Sequence, residues 1–206
     1  MAQTIEHSII NRIYGHGKGW AFSPGDFTDL GSRTAIDSSL YRLEKQAIIR
    51  RVIRGIYDYP RFSDLLQQTV PPDIDQVAQA LARKFAWRIQ PDGATAQNLL
   101  GLSTQVPARV VYLSDGPNRS YGIGRTKLAF EHTALKEAVF KLSESRLVVQ
   151  ALKAFGEPHV TPNLIAEIRQ KFDPALRKKI LQDTKTATGW VYAAIQQIAK
   201  EETPHG

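Results

Sequence analysis

The chain has 206 residues, of which 42% are hydrophobic, enough to build a core in one large or two small domains. Its 27 lysines and arginines outnumber its 20 acidic residues, and the formal net charge of +7 favours a polyanionic partner such as nucleic acid. Because there is no cysteine, disulfides, cysteine-ligated metal sites and thiol catalysis are excluded.

The sequence gives no sign of a membrane or secretory segment. No apolar run approaches the roughly 18 residues that cross a bilayer. The first ten residues, MAQTIEHSII, lack a basic segment followed by an apolar block, so they do not have the pattern of a secretory signal. We therefore expect a cytoplasmic protein with no membrane partner.

The first predicted element is a helix, followed by a short extended stretch. Thr4 can cap this helix, and the glycines within residues 15–19 end it. Its apolar residues recur at helical spacing and are Ile5, Ile9, Ile10 and Ile13. The aromatic-rich residues 20–22 that come next are predicted to be extended.

Two further helices are predicted before residue 46. Ser23 followed by Pro24 indicates the start of a short helix that ends at Gly31. Ser32 can cap a third helix. The buried stripe of that third helix would consist of Ile36, Leu40 and Leu43.

A β-hairpin is predicted over residues 48–60. The residues there favour strands, Arg54-Gly55 is a plausible turn, and Pro60 closes the segment. A helix, a short helix, a helix and a hairpin in this order are typical of a winged helix-turn-helix, whose third helix enters the major groove of DNA.

The third helix and the hairpin carry a local excess of positive charge. Residues 31–54 contain six basic residues and only two acidic ones, Asp37 and Glu44. Side chains suited to phosphates and base edges lie opposite the buried stripe or on the hairpin. The candidate DNA-binding residues are Arg33, Thr34, Ser38, Tyr41, Arg42, Lys45, Arg50, Arg51 and Arg54.

The rest of the chain is predicted to be a linker and a mixed α/β domain with a helical tail. The prolines of residues 61–72 indicate a linker between a domain at 1–60 and one at 73–206. Helices are predicted at 74–85 and 94–100, with strands at 109–113 and within 121–132. Further helices are predicted at 134–142, 143–155, 162–172, 174–182 and 186–201. The fold class is therefore α+β.

Two stretches of the sequence resemble antitoxins of the AbiEi type, which belong to type IV toxin–antitoxin systems. Residues 9–60 contain GHGKGW, DLGSR, IIRR and RGIYDYP, and residues 76–124 contain QPDGA, LGLSTQVPA and YLSDGP. The first stretch resembles the winged-helix part of that family, and the second resembles the domain that follows it.

This resemblance implies a repressor that binds double-stranded DNA at inverted repeats upstream of its own operon. It implies a phage-defence setting. A repressor and antitoxin of this kind needs neither a cofactor nor a catalytic residue. It also implies that the second domain counteracts a nucleotidyltransferase-like toxin without forming a stable complex with it. Each of two protomers would bind one half-site of the repeat.

Two alternatives stay open. The chain could be a protein- or RNA-interaction module that neutralises a toxin without regulating DNA. It could also be a metal-dependent nuclease using Asp92, Asp115 and Lys127. The nuclease is disfavoured because no acid-x-Lys triplet follows Asp115 and because residues 91–93, Pro-Asp-Gly, are first of all a turn signal. The histidines lack paired metal-ligand spacing, so the sequence predicts no metal site and no enzyme.

Overall fold

A computed structural model describes residues 4–103, 107–134 and 140–200 of the chain. The architecture is α+β, as the sequence predicts. The chain divides into two compact units. The first combines the residues up to Trp87 with Ser120–Leu128, and the second combines Arg88–Arg119 with the residues from Ala129 onward.

The first unit begins with a helix, a short helix, a helix and a hairpin, the order of elements that the sequence predicts. The elements of this segment are α1 (Ile5–His16), β1 (Ala21–Phe22), a 3₁₀ helix (Pro24–Phe27), α2 (Arg33–Lys45), β2 (Arg50–Ile53) and β3 (Ile56–Asp58). The three strands form an antiparallel sheet in the order β1-β3-β2. The β2–β3 hairpin follows α2 directly and occupies the position of the wing in a winged helix-turn-helix, so we call it the wing.

Predicted caps fix the ends of these helices. The Thr4 hydroxyl accepts a hydrogen bond from the His7 amide at 3.3 Å, and Gly17 ends α1 with φ of +85°. The Ser32 hydroxyl accepts from the Ala35 amide at 3.3 Å and so begins α2. Helix α2 therefore starts at the residue that the sequence indicates.

The second helix is shorter than predicted, with 3₁₀ geometry and an end at Phe27. Arg12 of α1 binds the residues at this end, one of its contacts being the Asp26 carbonyl that a longer α-helix would use within its own backbone. Its guanidinium donates to the Asp26 carbonyl at 2.7 Å and to both oxygens of the Asp29 carboxylate at 2.7 and 2.6 Å.

An aromatic and aliphatic core holds the winged helix together. Phe22 and Phe27 meet edge to face with their ring centroids 5.4 Å apart. The buried members of this core are Ile9, Ile13, Trp20, Phe22, Phe27, Ile36, Leu40, Leu43 and Ile49. All three residues predicted for the stripe of α2 are thus inside it.

The first unit also contains helix α3. The residues predicted as a linker contain a short hairpin of β4 (Phe62–Ser63) and β5 (Gln68–Thr69). Helix α3 (Ile74–Phe85) follows and packs against β1. Arg83 joins the last turn of α3 to the 3₁₀ helix and to β1, because its guanidinium donates to the Asp26 carboxylate and to the Ala21 carbonyl, both at 2.8 Å.

A four-stranded sheet and a short helix follow. The elements are β6 (Ile89–Pro91), α4 (Gly93–Leu99), β7 (Arg109–Ser114), β8 (Arg119–Ile123) and β9 (Thr126–His132). The strand order is β6-β7-β9-β8, and β6 pairs antiparallel with β7 so that Ile89 lies opposite Ser114.

The second unit ends in a helical bundle that buries an aliphatic core. The elements are α5 (Ser143–Phe155), a 3₁₀ helix (Glu157–His159), α6 (Pro162–Gln170), α7 (Pro174–Asp183) and α8 (Gly189–Ala199). Its fully buried residues include Val148, Val149, Leu152, Ile168, Val191 and Ile195. Across the ranges that the structure describes, no helix is long and apolar enough to cross a membrane.

The segment before α5 differs from the prediction where it can be compared. Most of the helix predicted at 134–142 lies outside the described residues, and residues 140–142 are not helical. The carboxylate of Asp183 accepts hydrogen bonds from the amides of Lys141 and Leu142 at 3.0 and 2.9 Å. Burial acts to raise the pKa of Asp183, but these bonds outweigh it and lower that pKa.

Candidate nucleic-acid interface

Helix α2 divides into a buried face and an exposed face. Ile36, Leu40 and Leu43 have no solvent exposure, so the side chains opposite them point outward. Thr34 and Ser38 are exposed on that outer face, and Tyr41 is 59% exposed. This face presents two hydroxyl-bearing side chains and a phenol within two helical turns, groups that bind phosphates and base edges.

Arg33 lies at the start of α2 and pairs with Asp37 one turn later. The Arg33 Nε and Asp37 Oδ2 atoms are 2.7 Å apart, and both side chains are about half exposed or more. An exposed pair of this kind contributes only about 0–1 kcal/mol to stability. A DNA phosphate can therefore compete with Asp37 for Arg33 at low cost.

Arg42 is held more firmly than its position on the outer face suggests. Its Nε donates to the Glu6 carboxylate of α1 at 2.6 Å, and its Nη2 donates to the Ser39 hydroxyl at 3.3 Å. The side chain is still 53% exposed. Arg42 thus joins α1 to α2 and must exchange or share Glu6 if it contacts a base.

The last turn of α2 carries a cation over an aromatic ring. The Lys45 ammonium lies 5.4 Å from the centroid of the Tyr41 ring, within the range of a cation–π contact. Both residues are exposed. They extend the polar face of α2 towards its C-terminal end.

The three arginines predicted on the wing have two different environments. Arg50 donates to both carboxylate oxygens of Asp58, at 3.0 and 2.5 Å, and to the Val70 carbonyl at 3.1 Å. The Asp58 side chain is only 2% exposed, so Arg50 serves as the counter-ion of a buried carboxylate. Arg51 and Arg54 are exposed and form no ion pair or hydrogen bond with any described residue.

Lys84, at the end of α3, is a basic residue at this surface that the sequence reasoning missed. Its ammonium lies close to the wing turn, 2.8 Å from where a Cβ on Gly55 would stand. Partial burial and then the charges of Arg33 and Arg54 lower the pKa of Lys84. The signal in the sequence is the basic pair at 83–84, but the sequence places these residues in the predicted domain at 73–206 and not beside the hairpin.

The two aspartates considered for a nuclease, Asp92 and Asp115, have structural contacts. The Asp92 carboxylate caps α4 by accepting from the Thr95 amide at 2.8 Å. Asp115 accepts from the Arg88 amide and Nε, both at 2.8 Å, and the hydrogen bond from the Arg88 side chain lowers the Asp115 pKa. Among the described residues, no cluster of three or more His, Cys, Asp or Glu could hold a metal ion.

Comparisons with known proteins give a family but no activity. A family model described as "Family of unknown function (DUF6088)" matches residues 8–182. No curated protein matches the chain. Among solved structures, the chain is similar to the crystal structure of RV2827C protein from Mycobacterium tuberculosis, with 12% identity and a TM-score of 0.42, over 97% of this chain and 77% of that one.

Proposed function

This chain belongs to the DUF6088 family, whose function is unknown, and we propose that it is a DNA-binding transcriptional repressor. The observation that carries the proposal is the pairing of a winged helix-turn-helix with an exposed, cationic recognition surface. We define this recognition surface as the outer face of α2 with the wing arginines Arg51 and Arg54. The opposite face of α2 is fully buried in the core, so the helix holds the exposed side chains in fixed positions.

The dimensions of α2 suit the major groove. An α-helix with its side chains is about 10–12 Å across, and the major groove is about 12 Å wide. Thr34, Ser38 and Arg42 would face the bases or the nearest phosphates. Arg33 at the start of the helix and Lys45 at its end would contact the backbone on either side.

The wing supplies contacts that do not depend on sequence. Arg51 and Arg54 are exposed cations with no ion pair or hydrogen bond to any described residue, so binding a phosphate breaks no existing bond. The sequence predicts that Arg50 contacts DNA. Its hydrogen bonds to the buried Asp58 carboxylate favour a structural role instead. The proposed DNA-contacting set is therefore the predicted one without Arg50.

A titration of the full chain on DNA tests this function. The DNA just upstream of its gene is compared with a scrambled duplex of the same composition at two salt concentrations. We expect binding to the upstream DNA to be tighter by about three orders of magnitude or more and to weaken steeply with salt. Equal, weak binding to both duplexes would contradict a specific repressor.

The AbiEi resemblance extends the proposal to an antitoxin. In this extension, residues 73–206 counteract a nucleotidyltransferase-like toxin, and α2 with the wing regulates the operon. Co-expression of such a toxin from the neighbouring gene with the chain carrying Arg51→Gln and Arg54→Gln separates the two activities. We expect growth rescue to persist while repression falls, and a toxin that still arrests growth in the presence of the wild-type chain would exclude the antitoxin role.

A further inference from the structure

A cleft lies within the first unit where the end of α3, the wing turn and the start of α2 meet. It encloses about 330 Å³, and its lining includes Arg33, Gly55 and Lys84 together with residues of the 3₁₀ helix. Each of the three elements contributes one of these named residues. The cleft adjoins the recognition surface because Arg54 precedes Gly55 in the wing turn.

The charge in and around this cleft is predominantly positive. Arg83 and Asp26 also line it, but they bind one another at 2.8 Å and offset each other. Asp26 is further occupied by the Ser23 amide at 2.8 Å. Asp37 offsets part of the charge of Arg33. Lys84 and nearby Arg54 have no acidic partner among the described residues.

The wing turn is shaped to let Lys84 approach. Gly55 has φ of +75°, a left-handed conformation that residues with a side chain rarely adopt. A Cβ there would stand 2.8 Å from the Lys84 ammonium, so any larger residue would displace it. Glycine at this position thus serves both the turn and the placement of the lysine.

We propose that this cleft binds one backbone phosphate of the DNA duplex, through Lys84 and Arg33 of its lining and Arg54 of the adjoining wing turn. The inference rests on the proposed DNA binding and extends the contact surface from the winged helix to α3. Cations held close together repel one another, and an anion placed between them removes that repulsion. Phosphate oxygens accept hydrogen bonds from ammonium and guanidinium groups, and the duplex brings such oxygens to the elements that border the cleft.

The test compares Lys84→Gln with Lys179→Gln, the same substitution at an exposed lysine of α7 in the second unit. DNA affinity is measured on upstream and scrambled duplexes across a range of salt. We expect Lys84→Gln to weaken binding by the same factor on both duplexes and to lower the salt slope by about one. Lys179→Gln should leave both quantities unchanged, and Lys84→Arg should restore the slope.

Inorganic phosphate distinguishes a DNA phosphate from a free anion. Thermal unfolding of the full chain is followed with added phosphate, and we expect a stabilisation that is smaller in Lys84→Gln. Loss of that stabilisation with an unchanged DNA salt slope would overturn the assignment to the DNA backbone. Equal slope changes in Lys84→Gln and Lys179→Gln would show bulk electrostatics and would overturn the site itself.

The same measurements separate this inference from the repressor proposal. Specific DNA binding that depends on Arg51 but not on Lys84 would remove the cleft and leave the repressor standing. Binding to both duplexes without preference, but with a slope that Lys84→Gln lowers, would support the phosphate contact and contradict specific repression.

Discussion

Two arginines of the wing and two arginines of the C-terminal helices have the same chemistry but different environments. Arg51 and Arg54 on the wing are exposed and have no partner among the described residues. In the second unit, Arg169 donates to the Gln197 carbonyl at 2.6 Å, and buried Arg177 donates to the Ile198 carbonyl at 3.4 Å, both at the end of α8. The net charge of the chain therefore does not show which arginines a ligand can reach, whereas their exposure and existing partners do.

The contrast recurs inside the wing between two consecutive residues. Side chains alternate between the two faces of a strand, so Arg50 and Arg51 point in opposite directions. Arg50 lies against buried Asp58, and Arg51 faces solvent. One arginine stabilises the hairpin, and the other is available to a ligand.

The largest expected effect comes from removing Arg50. Arg50→Ala leaves the buried Asp58 carboxylate without its counter-ion, which should lower the free energy of unfolding by about 3 kcal/mol. The matched variant Arg51→Ala should stay within about 0.5 kcal/mol of the wild type. Urea denaturation measures both. Similar losses of stability in the two variants would contradict the structural role of Arg50 and the exposed, unpaired position of Arg51.

Arg42→Ala tests whether an arginine of α2 contacts a base edge or a phosphate. If Arg42 reads a guanine edge, the variant should lose about 1–3 kcal/mol of DNA-binding free energy and relax specificity at one base pair. Binding to a panel of operators with single base-pair changes measures this. Uniform weakening across the panel would instead make Arg42 a phosphate contact held in place by Glu6.

A smaller effect concerns the charge of Lys84. Burial and the neighbouring cations lower its pKa, so Arg54→Gln should move the Lys84 pKa upward, towards its ordinary value. Lysine side-chain NMR across an alkaline titration measures the change, with Lys179 as the reference signal. A Lys84 pKa that is the same in both proteins would show that Arg54 does not act on the cleft.

The smallest effect is on stability in acid. The hydrogen bond from Arg12 lowers the pKa of Asp29 to about 2, below its ordinary value of about 4. The ionised form is thus favoured in the folded state, and its contribution is complete above the unfolded pKa and is lost as pH falls towards 2. Asp29→Asn should therefore differ from the wild type at pH 5 and converge with it near pH 2, as chemical denaturation across this range would show.

Local chemistry made much of the first unit predictable. The Ser32 cap, the spacing of Ile36, Leu40 and Leu43, and the Arg54-Gly55 turn act within a few residues, so the sequence indicates α2 and the wing directly. The pair between Arg50 and Asp58 is less visible, because it depends on the register of β2 against β3. The approach of Lys84 to Gly55 joins residues 29 positions apart through the packing of α3, which no local pattern encodes.

The central claim is that DNA binds to the recognition surface and not to the basic C-terminal helices. The most direct test measures the salt slope of DNA affinity in two matched double variants, Arg51→Gln with Arg54→Gln and Lys178→Gln with Lys179→Gln. We predict that the first pair lowers the slope by about two and the second leaves it unchanged. An unchanged slope for the wing variant, with a lowered slope for the α7 variant, would contradict the claim and move the DNA-binding surface to the second unit.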